Sequence, residues 1–189
     1  MGRKSNTEAR RRQIVDALLR EIAETGYERA STVSIAARAG LAPGLIHYHF
    51  KSKEEILLAL VDELIAFAQL SGAAAMEAAS TPATKLAAYV SARVGLGPQA
   101  DANQVKAWVA ILAEAMGLKS VRSRVALWLA GDHDMLVQLF DVTGSGRGKE
   151  QASMLLAAIL GSFTLHAMNL PGVPRGYAER QLLSWLETM

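Results

Sequence analysis

The chain has 189 residues, of which 51% are hydrophobic and 20% charged, a composition typical of a folded globular protein. It contains no cysteine, which excludes disulfides, thiolate metal sites and cysteine nucleophiles. The net charge of +2 is unevenly distributed: residues 1–53 carry ten Lys or Arg against five Asp or Glu, and residues 54–189 carry ten against thirteen.

This basic first quarter is typical of a nucleic-acid-binding N-terminus. The alternative is a chance asymmetry between two parts of one chain. Arg3, Lys4 and the run Arg10–Arg12 are placed to neutralise phosphates as an N-terminal arm, whereas a merely solvated tail is the alternative for Arg3 and Lys4.

Apolar residues recur at helical spacing along the whole chain, and no alternating pattern predicts a sheet. Gly26 and Gly40 mark helix ends, Ser31 and Ser52 are candidate caps, and Pro43 suits a first helical position. The sequence therefore predicts an all-α fold of about nine helices. The predicted helices cover residues 7–25, 32–39, 43–50, 53–79, 82–95, 103–116, 119–142, 149–169 and 175–188.

The stretch 32–50 has the pattern of a helix, a turn containing Gly40, and a second helix. Its apolar positions can share one small core, which would hold the later helix with its other face outward as a recognition helix. These core positions are Ile35, Ala36, Ala39, Leu41, Ile46 and Phe50. The pattern predicts a helix-turn-helix.

This segment resembles the DNA-binding domain of the tetracycline-repressor (TetR) family over residues 8–60. The residues that carry the resemblance are Ala36, Ala39, Gly40, Leu41, Gly44, Ile46, His49, Phe50 and Lys53. The sequence departs from the family pattern at Ala42, where a serine is usual, and at His47, where the usual tyrosine is displaced to Tyr48. The resemblance implies a DNA-binding domain in residues 1–53 and a helical ligand-binding and dimerisation domain in residues 54–189.

The resemblance also implies which residues contact a double-stranded DNA operator. Phosphate contacts are expected from Thr32, His47 or Tyr48, His49 and Lys53, and close approach to base edges from Ala42, Pro43 and Gly44. Because this face has few hydrogen-bonding side chains, we expect thymine-methyl contacts and DNA shape to supply much of the specificity, with His47 as the polar base-contacting residue.

The second domain resembles the betaine-repressor branch of the family over residues 105–116. Candidate residues for an unidentified small-molecule effector are Trp108, Leu112, Glu114, Met116 and Trp128, with Met135 and Phe140 as further lining. A carboxylate at Glu114 beside Trp108 could hold a cationic ligand. For each of these residues, ordinary core packing is the alternative.

The last two helices are the candidate interface of a homodimer, because the family pairs them across a two-fold axis. The expected interface residues are Leu155, Ile159, Ser162, His166, Leu182 and Trp185, with Ala158 and Asn169 in the same pattern. Residues 152–170 carry no charge and approach the length of a membrane span, but their polar residues favour an interface over a membrane.

Together these features predict a cytoplasmic, homodimeric repressor that a small-molecule ligand releases from a pseudo-palindromic operator. The alternatives are a ligand-independent DNA binder and an activator. The sequence contains no phosphate-binding loop, nucleophile–base pair or metal-ligand pattern, since the four histidines do not share one helix face. We therefore expect no enzymatic activity, no cofactor and no metal.

Overall fold

The computed structural model describes residues 2–95, 102–144 and 146–188, with side chains from residue 7 onward. Within those ranges the regular structure is entirely helical. The helices are α1 (Gly2–Thr25), α2 (Thr32–Arg38), α3 (Pro43–His49), α4 (Lys53–Glu77), α5 (Pro82–Val94), α6 (Ala102–Gly117), α7 (Lys119–Val142), α8 (Gly148–Ala167) and α9 (Tyr177–Glu187). The predicted all-α fold and its helix order are confirmed.

The main differences lie at the two ends of the chain. Helix α1 begins at Gly2 rather than at residue 7, although the side chains of Arg3 and Lys4 are outside the described residues. Helix α9 begins at Tyr177 rather than at residue 175, because Gly176 takes a left-handed conformation with φ of 66° and precedes it as the N-cap.

By packing, the chain forms two compact units, and unit 1 comprises Met1–Leu64 and Ala102–Arg124. Helix α1 lies at its centre and packs against α2, α3 and α6. It can do so because six of its apolar residues are buried, namely Ile14, Val15, Ala17, Leu18, Leu19 and Ile22. Packing thus places α6 with the helix-turn-helix, while the functional boundary between residues 53 and 54 stays a prediction.

Two polar contacts inside unit 1 join the start of α7 to the first half of α4. Ser120 donates a hydrogen bond to Glu54, and Arg124 forms an ion pair with Asp62 at 2.8 Å. Helices α4 and α7 each continue past these contacts into unit 2. They are therefore the two helices that belong to both units.

Unit 2 comprises Ile65–Asp101 and Val125–Met189. Helices α5, α8 and α9 pack on one another within it, and α7 adds a row of buried apolar residues. The largest fully buried side chains of unit 2 are Tyr89, Leu136 and Phe140. Unit 2 is thus a helical bundle with its own core.

One helix of the described residues, α4, has the length and hydropathy that a membrane span would need. The uncharged segment 152–170 does not supply such a helix. A core helix of a globular protein passes the same test, and α4 buries Ile56, Leu57, Leu60 and Val61 in unit 1. The hydropathy of α4 is therefore weak evidence for a membrane.

Candidate nucleic-acid interface

Local capping positions the two short helices of the helix-turn-helix. Ser31 and Ser34 form a reciprocal capping box at the start of α2, in which the Ser31 hydroxyl accepts from the Ser34 amide at 3.0 Å. Gly40 makes the turn after α2 with φ of 65°, which costs a glycine little. Pro43 then opens α3, where a missing amide hydrogen is harmless.

The C-terminal end of α3 is held by α1. Ile46 and Phe50 are buried, and the Arg11 guanidinium lies 3.9 Å from the centre of the Phe50 ring. Arg11 also donates to the His49 carbonyl and lies 3.6 Å from the Glu55 carboxylate. Because one face of α3 is fixed in this way, the opposite face is presented to solvent in one orientation.

The exposed face of α3 carries most of the residues predicted to contact DNA. Five of the eight are exposed, namely Ala42, Pro43, Gly44, His47 and Tyr48, and Thr32, His49 and Lys53 are half-buried. The prediction did not include two large apolar side chains on the same helices, Val33 on α2 and Leu45 on α3. They are 61% and 43% exposed.

Lys53 has a structural partner as well as a predicted phosphate contact. Its ammonium group donates to the Tyr27 carbonyl at 3.0 Å and lies 4.1 Å from the centre of the Tyr27 ring. Burial, with nearby Glu54 and Glu114, raises the pKa of the Tyr27 phenol to about 12. Lys53 thereby ties the start of α4 to the α1–α2 connection.

His49 lies beside Arg11 with its Nδ1 atom buried and without a hydrogen-bond partner among the described residues. Burial lowers its pKa, and the positive charges of Arg11 and Arg10 lower it further. The Tyr48 ring meets it edge-on, with ring centres 5.0 Å apart. A neutral imidazole can still donate a hydrogen bond to a phosphate oxygen but brings no charge to it.

The basic residues of this region are not equally available to a polyanion. Arg38 is held by Glu21 and Glu24, both at 2.6 Å, so its charge is balanced within unit 1. Arg10, Arg12 and Lys51 are exposed. Part of the basic charge of residues 1–53 therefore stays at the surface.

The candidate effector residues fall into different units. Trp108, Leu112, Glu114 and Met116 are on α6 in unit 1, whereas Trp128 is buried in unit 2. Met116 is 76% exposed, and burial and the charge of Glu28 raise the pKa of Glu114. The assignment of these residues to a ligand stays a prediction.

Unit 1 has a cavity of about 170 Å³ between α1 and the end of α2. It is smaller than the pockets that hold drug-sized ligands. Its lining is largely polar and contains none of the candidate effector residues. The lining residues are Gln13, Asp16, Ala17, Arg20, Arg38 and Ala39. Among the residues that the structure describes, no group of three His, Asp or Glu could hold a metal ion.

Unit 2 contains a buried charged cluster that was not predicted from the sequence. Arg93 donates to Asp132 at 2.7 Å, and the Tyr89 hydroxyl donates to the same carboxylate oxygen at 2.7 Å. The guanidinium also donates to the Ala68 carbonyl and lies 5.5 Å from the Trp128 ring centre. The available signal was the i, i+4 pair of Tyr89 and Arg93, but nothing in sequence pointed to Asp132.

The predicted interface residues of α8 are turned mostly inward. Leu155, Ile159 and Ser162 are buried within unit 2, so they have almost no surface to offer to a second copy. His166, Leu182 and Trp185 are half-buried, and Trp185 packs against Phe140 with ring centres 6.1 Å apart. The exposed face of α8 is instead a row at spacings of three and four, here named the α8 stripe: Met154, Ala157, Gly161, Thr164 and Met168.

Comparison with known proteins shows which families and structures the chain is similar to. Residues 14–60 match the family model described as bacterial regulatory proteins, tetR family. The HTH-type transcriptional regulator BetI of Rhizobium meliloti (strain 1021) is 35% identical over 120 residues, which are 63% of the chain and 58% of that relative. The match thus spans less than two thirds of the relative's length.

Two solved structures share the fold over nearly the whole chain. A transcriptional regulator from Rhodococcus sp. RHA1 has a TM-score of 0.83 and 24% identity, with 94% of both chains covered. A transcriptional regulator from Saccharomonospora viridis in complex with choline has a TM-score of 0.80 and 22% identity, with 94% of this chain and 95% of that chain covered. Both similarities concern the fold.

Proposed function

Because residues 14–60 match the family model of bacterial regulatory proteins, tetR family, we propose that the chain belongs to this family and is a transcriptional regulator that binds double-stranded DNA through α2 and α3. The observation that carries this proposal is the packing of α3. Ile46 and the adjacent Phe50 are buried, while Pro43, Gly44 and His47 are exposed to solvent. The basic surface of residues 1–53 supplies attraction to phosphates.

DNA binding can be tested by selection from a library of random duplexes with the full chain. Repeated selection should enrich a pseudo-palindromic sequence, because a symmetric dimer presents two copies of α3. Substituting His47→Ala should weaken binding to the enriched duplex while the melting temperature stays unchanged, since His47 is exposed. Failure to enrich any sequence at low salt would contradict the proposal.

We propose that the active form is a homodimer that pairs through the α8 stripe. The stripe follows the three-and-four spacing of helix–helix seams, and its small residues Ala157 and Gly161 allow close approach. A Cβ atom added at Gly161 would meet nothing within 4 Å, so the isolated chain tolerates a side chain there.

Gly161→Arg should therefore convert a dimer to a monomer without unfolding it. Gly131→Arg is the matched control, because Gly131 is an exposed helical glycine of α7 with equally open space. Sedimentation of both variants, with circular dichroism as the folding control, measures the effect. A Gly161→Arg dimer as tight as the native one would place the interface elsewhere.

We further propose that a small-molecule effector releases the regulator from DNA in the cytoplasm. A ligand that prefers one arrangement of unit 2 can shift the DNA-binding helices, since α4 and α7 continue into unit 1 and are tied there by Ser120–Glu54 and Arg124–Asp62. The Saccharomonospora viridis neighbour in complex with choline makes choline the first compound to test.

The effector proposal predicts that a bound compound raises the melting temperature and weakens DNA binding together. Choline chloride is compared with sodium chloride at equal ionic strength, and then a panel of metabolites is screened. A stable chain that responds to no compound while binding its operator would favour the alternative of a ligand-independent DNA binder.

A further inference from the structure

We propose that Val33 and Leu45 determine operator specificity by contacting the C5-methyl groups of thymines in the major groove. This inference rests on the proposed DNA-binding function and assigns roles to two residues that were not among the predicted DNA contacts. Both side chains are large, apolar and exposed, at 61% for Val33 and 43% for Leu45.

Val33 is exposed on α2, two residues before the buried Ile35, and Leu45 is exposed on α3 next to the buried Ile46. The backbone amide of Leu45 donates to the carbonyl of the N-cap residue Ala42 at 2.9 Å, so Leu45 lies in the first turn of α3. Val33 and Leu45 thus stand on the exposed faces of the two helices of one helix-turn-helix.

The exposed residues Ala37, Ala42, Pro43 and Gly44 carry no hydrogen-bonding side chain, Arg38 is paired with Glu21 and Glu24, and the other exposed polar residues beside Leu45 are His47 and Tyr48. A single exposed leucine is ordinary on a protein surface, but an exposed apolar side chain on the DNA-facing side of a helix-turn-helix can contact base edges. This face can make few of the hydrogen bonds by which arginine, asparagine or glutamine distinguish guanine and adenine.

Among the four bases only thymine presents an apolar group in the major groove, its C5-methyl, whereas the other edges present donors and acceptors. Valine and leucine gain from burying such a methyl and lose when they cover an unpaired polar edge. The two side chains therefore favour thymine and disfavour other bases at the positions that they cover.

Charge decides in favour of DNA over an apolar protein partner. Residues 1–53 carry ten basic against five acidic residues, and Arg10, Arg12 and Lys51 are exposed. This charge supplies sequence-independent affinity for phosphates, whereas the apolar pair contributes to discrimination between bases.

The test removes one methyl group at a time. After selection of an operator with the native chain, each thymine is replaced in turn by uracil, which lacks only the C5-methyl. Burial of one such group is equivalent to about a fourfold change in affinity, so the loss at a contacted thymine should be about fourfold. At one such position, exchange to a C·G pair and then to a 5-methylcytosine·G pair should restore about the same factor, because the methyl is common to both pyrimidines.

Residue assignment comes from the variants Val33→Ala and Leu45→Ala. Each should lose the sensitivity to uracil at its own position and keep it at the other, without a change in melting temperature. Leu127→Ala is the control, because Leu127 is 78% exposed on α7, away from α2 and α3 in sequence, and it should change neither property.

The outcomes separate the inference from the function on which it rests. An enriched operator whose uracil copies all bind as tightly as the original would overturn the methyl contacts but leave DNA binding intact. Uracil sensitivity that persists in both Val33→Ala and Leu45→Ala would overturn the residue assignment. If no duplex is enriched at all, the proposed DNA-binding function itself fails.

Discussion

Arg93 and Asp132 form an ion pair at 2.7 Å with both side chains buried in unit 2, although 39 residues separate them along the chain. The Tyr89 hydroxyl completes the pair by donating to the same carboxylate oxygen. Burial raises the pKa of the Tyr89 phenol, so it remains a neutral donor. The cluster joins α5 to α7 and, through the Ala68 carbonyl, to α4.

Breaking this pair from one side should destabilise the chain strongly. Arg93→Met leaves the Asp132 charge buried without its partner, which typically costs about 3–5 kcal/mol of unfolding free energy. The double variant Arg93→Met/Asp132→Leu removes both charges and should cost less than the sum of the two single changes. Urea denaturation of the three variants measures the coupling, and simple additivity would show that the pair is not coupled.

Tyr89→Phe separates the hydrogen bond from the ion pair. It keeps the ring against Arg93 but removes the donor to Asp132, so we expect a loss of about 1.5–3 kcal/mol, typical of a hydrogen bond to a charged group. The same urea titration measures it. A neutral result would mean that the carboxylate oxygen needs only Arg93.

Two glycines of the helix-turn-helix should respond oppositely to alanine. Gly40 has φ of 65°, so Gly40→Ala forces a left-handed alanine and should lower the unfolding free energy by about 1–2 kcal/mol. Gly44 has no such constraint and open space around it, so Gly44→Ala should leave the melting temperature equal or higher. It should nevertheless weaken operator binding about tenfold, as loss of one base contact does.

Lys53→Met should affect both stability and DNA binding. Removing the ammonium group from the Tyr27 carbonyl and ring should cost about 1 kcal/mol. If the same group contacts a phosphate, the slope of log affinity against log salt should fall by about 0.9 per contact. Lys149→Met, at an exposed position of α8, is the control for both measurements. An unchanged salt slope would leave Lys53 with the structural role alone.

His49 should make folding stability depend on pH in one direction. Because its pKa is lower in the folded chain than the ordinary 6.5, the unfolded chain binds its proton first as the pH falls. Its contribution is therefore fully present above pH 6.5 and is lost below it. His49→Asn should reduce the loss of stability between pH 7.5 and pH 5.5, measured by urea denaturation. Parallel pH profiles for the two chains would contradict this assignment.

Local chemistry explains why so much of the DNA-binding region could be predicted from sequence. Ser31 caps α2, Gly40 makes the turn and Pro43 opens α3 through contacts with residues only a few positions away. The spacing of Ile35, Ile46 and Phe50 then determines which face of each helix is buried. Although α3 also packs against α1 through Arg11 and Phe50, the caps, the turn and the apolar spacing are local, so the sequence by itself was enough to predict the helix-turn-helix.

Tertiary structure decided the features that depend on contacts far apart in sequence. In α8 both faces are apolar or small, so periodicity could not tell the buried Leu155 and Ile159 from the exposed Met154 and Ala157. The partner of Arg93 could not be identified from sequence, because Asp132 is brought to it only when α5 and α7 pack together. Helix positions follow from local propensity and spacing, whereas the partner of a buried charge, and the buried face of a helix that is apolar or small on both faces, follow from which helices meet.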